Sequence, residues 1–157
     1  MATRNILKQG DETLNKRCRP VTQFDERLHT LLDDMAQTLR ESGGVGLAAP
    51  QVGILRRVVV LLDVNKDPEE LVELVNPEVI EKRDEERMIE GCLSVPGVYG
   101  YVTRPHYAVI RAQDRNGNWF ERAGEGMVAQ CFCHETEHLD GHLFTEKVEE
   151  YVDVETE

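Results

Sequence analysis

The chain has 157 residues, 40% of them hydrophobic and 31% charged, a balance within the globular range. That length suits one domain over residues 1–157, able to bury roughly 70% of its unfolded surface around a single core. With 30 acidic against 18 basic residues the net charge is −12, which argues against broad binding to nucleic acid or to an anionic membrane. No run approaches the ~20 apolar residues of a membrane span, and Met1-Ala2-Thr3-Arg4-Asn5 is not followed by the apolar stretch of a signal peptide. A cytoplasmic protein is expected. Cys18, Cys92, Cys131 and Cys133 are too few and too irregularly spaced for a disulfide scaffold. Each is therefore core filler, metal ligand or reactive thiol.

In chain order, the first twenty residues are mixed polar, anchored by Leu7 and Leu14 and broken at Pro20. Phe24, Leu28, Leu31, Leu32, Met35 and Leu39 recur at helical spacing and predict a helix from about Phe24 to Arg40, capped by Thr22 and ended by Gly43-Gly44. The run Gly44-Val45-Gly46-Leu47-Ala48-Ala49-Pro50-Gln51 lacks bulky residues, so another backbone can approach it closely. Arg57 to Val64 reads as a buried strand, with Val58-Val59-Val60-Leu61-Leu62 uninterrupted. A turn over Asn65 to Glu69 follows, then strand segments Leu71 to Val75 and Glu78 to Arg83, interrupted by Asn76-Pro77. Glu90 to Gly97 reads as irregular. Tyr107 to Ala112 and Asn118 to Arg122 resemble a hairpin turning at Asn116-Gly117. A helix from about Gly124 to Leu139, ended by Gly141, is the last strong element. Glu146 to Glu157 is dominated by acids and is expected to be a solvated or frayed tail. The pattern predicts an α+β fold, with mainly antiparallel β segments packed around a C-terminal metal-binding helix and an N-terminal helix.

That last helix carries His134-Glu135-Thr136-Glu137-His138. Positions i and i+4 share a helix face, so both imidazoles can reach one metal ion, while Glu135 projects roughly 100° away. A divalent ion held this way lowers the pKa of a water towards neutrality, and Glu135 is placed to shuttle its proton. Short motifs recur by chance, and the bland alternative is a solvated helix face. Two histidines need a third ligand. Downstream, Phe144 occupies the place of a third histidine, and His142 lies about 12 Å from His134 along a continuing helix. Nineteen residues after His138 are too few for a second helix bearing a glutamate. The ligand should lie upstream, and Cys92 in Glu90-Gly91-Cys92-Leu93-Ser94 is the thiol best placed for it. Cys131 faces roughly with the histidines and can line a pocket; Cys133 points away.

Three segments, taken in order, resemble the peptide deformylases: Gly44–Gln51, Glu90–Ser94, and His134–His138 followed by Leu139-Asp140-Gly141. The resemblance spans nearly the whole chain. Two positions depart from it, Glu137 where aspartate is usual and Cys133 where glutamine is common. The resemblance implies removal of the N-formyl group from the N-terminal formylmethionine of newly made polypeptides, with release of formate. It implies one divalent metal ion on Cys92, His134 and His138, with Fe²⁺ as the native ion and Zn²⁺, Ni²⁺ or Co²⁺ as substitutes. Glu135 is then the proton shuttle, and the Gln51 amide and the Leu93 backbone N–H stabilise the oxyanion. Gly44, Val45, Gly46 and Gly91 offer backbone to an extended peptide, and Val45, Met88, Met127 and Cys131 line the methionine pocket. Arg104 either contacts the peptide backbone or pairs with a surface acid. The partners implied are formylmethionyl nascent polypeptides and transient ribosome proximity, without direct nucleic-acid or membrane binding. The competing readings are a zinc endopeptidase built on the same pentapeptide and a non-catalytic metal-binding paralogue.

Overall fold

Five successive apolar side chains at Val58–Leu62 place a strand where both faces are covered. The structure, a computed structural model, describes residues 2–153. In it β2 (Val58–Asp63) is buried along its whole length. Val59 and Leu61 point into one core cluster with Val128, Ala129, Phe132 and Leu139. Val58, Val60 and Leu62 point into another with Leu28, Leu32, Met35 and Leu39. Successive side chains of a strand alternate faces, so β2 is the partition between two layers of core.

Around it runs a six-stranded sheet in the order β1-β2-β3-β4-β5, with β6 paired to β4. The strands are β1 (Gly46–Ala48), β3 (Glu70–Cys92), β4 (Val95–Gln113), β5 (Trp119–Glu125) and β6 (Glu150–Val152), and the named pairings are all antiparallel. Helix α1 (Glu26–Ser42) packs on one side of β2, and α2 (Met127–Leu139) on the other. The α+β architecture with two helices is as expected. Among the described residues, no helix is long and apolar enough to cross a membrane.

Four local expectations are corrected. Helix α1 is capped by Asp25, whose Oδ1 accepts from Leu28 N at 3.2 Å, rather than by Thr22. Asn76-Pro77 does not divide two strands. It sits in a register shift within one continuous β3, where Asn76 takes φ 51° and its amide bonds Val21 and Gln113. A shift of register there spares the ladder a proline donor that does not exist. Glu90–Gly97 is irregular only in part: the ladder of β3 with β4 runs on to Cys92↔Val95, with a register shift between Glu90 and Cys92 and a turn at Leu93-Ser94. The acidic tail is held as far as Val152: Glu149 N donates to Tyr101 O at 2.8 Å and β6 pairs with Tyr99–Tyr101 of β4. The part of that tail at 154–157 lies outside the described residues.

Candidate metal centre and its cavity

Helix α2 runs from Met127 directly out of the sheet, and ten of its thirteen residues are buried. It therefore carries polar side chains into the core, where each needs a partner. His134 and His138 stand one turn apart with ring centroids 4.9 Å apart, edge to face. The end of β3 brings Cys92 to them. His138 Nε2 lies 3.2 Å from His134 Nε2 and 3.3 Å from Cys92 Sγ. The donor atoms of all three residues lie within 4.8 Å of one another.

These spacings fit a small cation. Two nitrogens at ~2.05 Å and a sulfur at ~2.3 Å from a tetrahedral centre stand roughly 3.3 and 3.6 Å apart. Donor chemistry agrees. Glu90 Oε2 accepts from His134 Nδ1 at 2.7 Å, which leaves the Nε2 lone pair facing the sulfur and the second ring. Burial works against a charged His134, yet Glu135, Cys92 and Glu90 outweigh it and lift its pKa well above the imidazole range. The surroundings thus favour a positive charge at this spot. For His138 burial and the neighbouring His134 act together, holding it well below the usual range and neutral, as a metal ligand must be.

Glu135 reaches the same point from the side. Its Oε2 is 4.0 Å from His134 Nε2, and Oε1 is buried without a partner among the described residues. Burial pushes its pKa up to about 7 against the pull of His134. Gly46 on β1 makes room for this carboxylate: a Cβ there would sit 2.5 Å from Glu135 Oε2. Gln51, in the 3₁₀ turn Ala49–Val52, is 1% exposed. Its Oε1 accepts from Ala48 N at 2.9 Å, while Nε2 donates to Ser94 Oγ at 3.0 Å and points at Cys92 Sγ from 3.6 Å.

Behind His134 lies an ion-paired layer. Both oxygens of Glu90 engage Arg104, at 2.9 Å from Nε and 2.7 Å from Nη2. Burial raises the Glu90 pKa, but the bonds to His134 and Arg104 outweigh it and hold the carboxyl at about 2. Arg104 is itself 3% exposed. It does not line the cavity; it pairs instead with two acids, the buried Glu90 and the partly exposed Glu137, so of the two readings the ion pair holds, reaching inward as well as outward.

A cavity of about 460 Å³ opens beside the three donors. Gly44, Val45, Gly46, Gln51, Gly91, Cys92, Leu93, Met127, Cys131, His134 and Glu135 all line it, as the sequence suggested. Met88 does not; Ile89 does, with Gln130 and Tyr99. Residues 88 and 89 are neighbours on β3 and face opposite ways, so only one of them turns to the cavity; beyond them the register shift between Glu90 and Cys92 lets Glu90, Gly91 and Cys92 all reach its wall. Ser94, Glu90 and Arg104 were not anticipated as supports of the site. The opposite facing of adjacent strand residues is the signal that separates Met88 from Ile89; no local signal marks the Glu90–Arg104 pair.

The sequence model of the family described as polypeptide deformylase matches residues 3–153. A peptide deformylase of Agathobacter rectalis is 52% identical over 149 residues, covering 95% of this chain and 92% of that protein. One from Acetivibrio thermocellus is 51% identical over 153 residues, covering 98% and 88%. Among solved structures, the peptide deformylase of Legionella pneumophila superposes with a TM-score of 0.89 at 45% identity, covering 94% of this chain and 86% of that one. That of Thermotoga maritima gives 0.88 at 38% identity, covering 94% and 99%.

Proposed function

Because the chain belongs to the peptide deformylase family, we propose that Cys92, His134 and His138 hold its metal ion and that Glu135 moves the proton. The protein is a metallohydrolase that removes the N-formyl group from nascent peptides. The observation that carries the site assignment is the convergence of one sulfur and two Nε2 atoms within 4.8 Å, with the orphaned Glu135 carboxylate beside them.

A bound divalent ion supplies the Lewis acidity that makes water a nucleophile near neutral pH. The rest falls to the chain. Glu135 takes a proton from the attacking water and returns it to the departing amine, and its raised pKa suits both transfers. Gln51 and Leu93 both line the cavity, and the Gln51 amide and the Leu93 backbone N–H donate to the oxyanion that forms at the formyl oxygen as the carbon is attacked. Gly44–Gly46 and Gly91 flank the extended peptide, and Ile89, Met127, Gln130 and Cys131 receive the methionine side chain. Cys131 acts there as an apolar wall, since burial raises its thiol pKa well above the ordinary value. Residues 2–153 serve as one catalytic domain. The native ion is Fe²⁺, for which a thiolate with two imidazoles is a suitable donor set, as it is for Zn²⁺. The enzyme acts in the cytoplasm close to the ribosome, meeting the nascent chain rather than RNA, in keeping with a net charge of −12.

The test pairs elemental analysis of anaerobically purified protein with formate release from a formyl-Met dipeptide. Iron near one equivalent per chain, and formate without cleavage of internal peptide bonds, is the expected result. Cys92→Ala should lose the ion; a variant that retains one equivalent rejects the ligand assignment.

A further inference from the structure

One polar chain links the donor helix to the chain's last turns. Glu137, one residue before His138, uses a single oxygen for two cations: Oε2 accepts from Arg104 Nη1 at 2.6 Å and from Lys147 Nζ at 2.9 Å. Arg104 spends its other donors on Glu90, and Glu90 Oε2 bonds His134 Nδ1. Charge alternates from Lys147 through Glu137, Arg104 and Glu90 to the imidazole. Side-chain exposure rises outward along it, from 3% at Glu90 and Arg104 to 18% at Glu137 and 53% at Lys147.

The same turn meets His134 by a second route. After α2 the chain reverses through Gly141, at φ 85°, where a Cβ would lie 2.6 Å from Asn15 O. It returns as the 3₁₀ turn Phe144–Glu146, and the Phe144 ring, 1% exposed, lies 5.9 Å from the His134 ring centroid to centroid. Lys147 follows directly. Aspartate at position 137 would be about 1.5 Å shorter. On a fixed helix it could not hold both the inner guanidinium and the outer ammonium.

We propose that Glu137 and Lys147 are positioning residues: by bridging Arg104 to the Phe144–Lys147 turn they fix the Arg104–Glu90 pair, and through it the ring of His134, so that metal retention depends on this turn. Without Glu137, Arg104 keeps only Glu90 and both can rock together. Groups that orient a ligand from behind typically change metal affinity 10–100-fold when lost. The inference rests on Cys92, His134 and His138 being the ligands.

Protein loaded with Zn²⁺ or Co²⁺ provides the test, read as the rate of ion loss to a chelator and as the visible spectrum of the Co²⁺ form. Glu137→Gln should speed ion loss by roughly 10–100-fold and shift the Co²⁺ bands. Lys147→Met should speed it about two- to fivefold, because that group is half exposed. Glu137→Asp should match Lys147→Met, and adding Lys147→Met to it should change nothing more. Wild-type ion loss with an unchanged spectrum in Glu137→Gln overturns the proposal. So does a fall in thermal stability of that variant with no change in ion loss, or a Lys147→Met effect that survives in the Glu137→Asp background. Cys92→Ala separates the two claims: if it keeps its ion, the ligand assignment fails and this inference with it. If it loses the ion while Glu137→Gln does not, the inference alone fails.

Discussion

Helices α1 and α2 cover opposite faces of the same strand, yet they are built on different terms. Helix α1 begins at a side-chain cap, Asp25, and ends at Gly43 in the left-handed region; its buried residues are apolar apart from Asp34 and Thr38. Those two bind the N-terminal segment, through Ala2 N, Arg4 N and the Arg4 guanidinium. Helix α2 has no side-chain cap and buries Gln130, His134, Glu135 and His138 among its apolar residues. Most of their polar atoms are matched one by one, Gln130 by Ile89 O and His134 by Glu90. Two atoms of these residues are left over: Glu135 Oε1, on the proton-shuttling carboxylate, and His138 Nδ1, on the ring whose Nε2 faces Cys92 and His134. Helix α1 is thus arranged for stability. Helix α2 gives some of that up to hold reactive groups away from water.

The widest separation between the two helices should appear on truncating the proton shuttle. Glu135→Ala removes a buried carboxylate that lacks a full set of partners, so the fold and the ion should survive. Formate release should fall by about 10²–10⁴-fold. Turnover near that of the wild type would remove Glu135 from its role and make α2 an ordinary core helix.

Next in size is the buried pair behind α2. Glu90→Gln leaves Arg104 buried with Glu137 as its remaining counter-ion, and breaking one side of such a pair costs about 3–5 kcal/mol. The pH dependence carries a sign. The folded pKa of Glu90, at about 2, lies below its ordinary 4.5. Its contribution is therefore present above pH 4.5 and is lost as pH falls through about 2. Melting curves of metal-free protein between pH 6 and 2.5 should show the difference between wild type and variant shrinking as acid is added. A difference that grows on acidification would reverse the assignment.

Leu32→Ala asks the corresponding question of α1. Leu32 is fully buried against β2, and its truncation should cost about 2–5 kcal/mol in urea unfolding. The folded fraction should keep its turnover within about twofold, since nothing reactive rests on that face.

The same contrast explains what could be read before any coordinates. Val58–Leu62 and the α1 periodicity are signals of burial, and burial obeys local spacing; both elements appear within about two residues of expectation. His134, His138 and Glu135 were legible because a metal site on a helix imposes a spacing of its own. What escaped was whatever depends on pairing between distant segments. Pro77 looked like a terminator because its missing donor is excused only by a bulge that β4 defines. Met88 reads as a pocket residue for its adaptable thioether, whereas Ile89 takes that place because adjacent residues of β3 face opposite ways. The acids of the tail stay exposed as expected, but the segment is not frayed: Glu149 and Glu150 pair with Arg87, and β6 pairs with β4. Glu90 and Arg104 are fourteen positions apart, and only the hairpin brings them together.

The smallest effect separates the helices at their first turns. Asp25 Oδ1 accepts from Leu28 N at 3.2 Å and satisfies one of the backbone donors that every helix leaves open at its start. Asp25→Ala should destabilise the protein by about 1 kcal/mol, visible as a lower urea midpoint at unchanged slope. Asp25→Asn should restore most of it, since an amide oxygen caps as well as a carboxylate. The α2 start provides the contrast, because Gly126 at φ 60° offers no side chain to remove. Its helix is held instead by packing along its length, with Val128 against Gly124 and Phe132 against the sheet. If Asp25→Ala cost nothing, α1 would prove to be held by its buried face alone. The two helices would then differ only in what they carry, and not in how they are fixed.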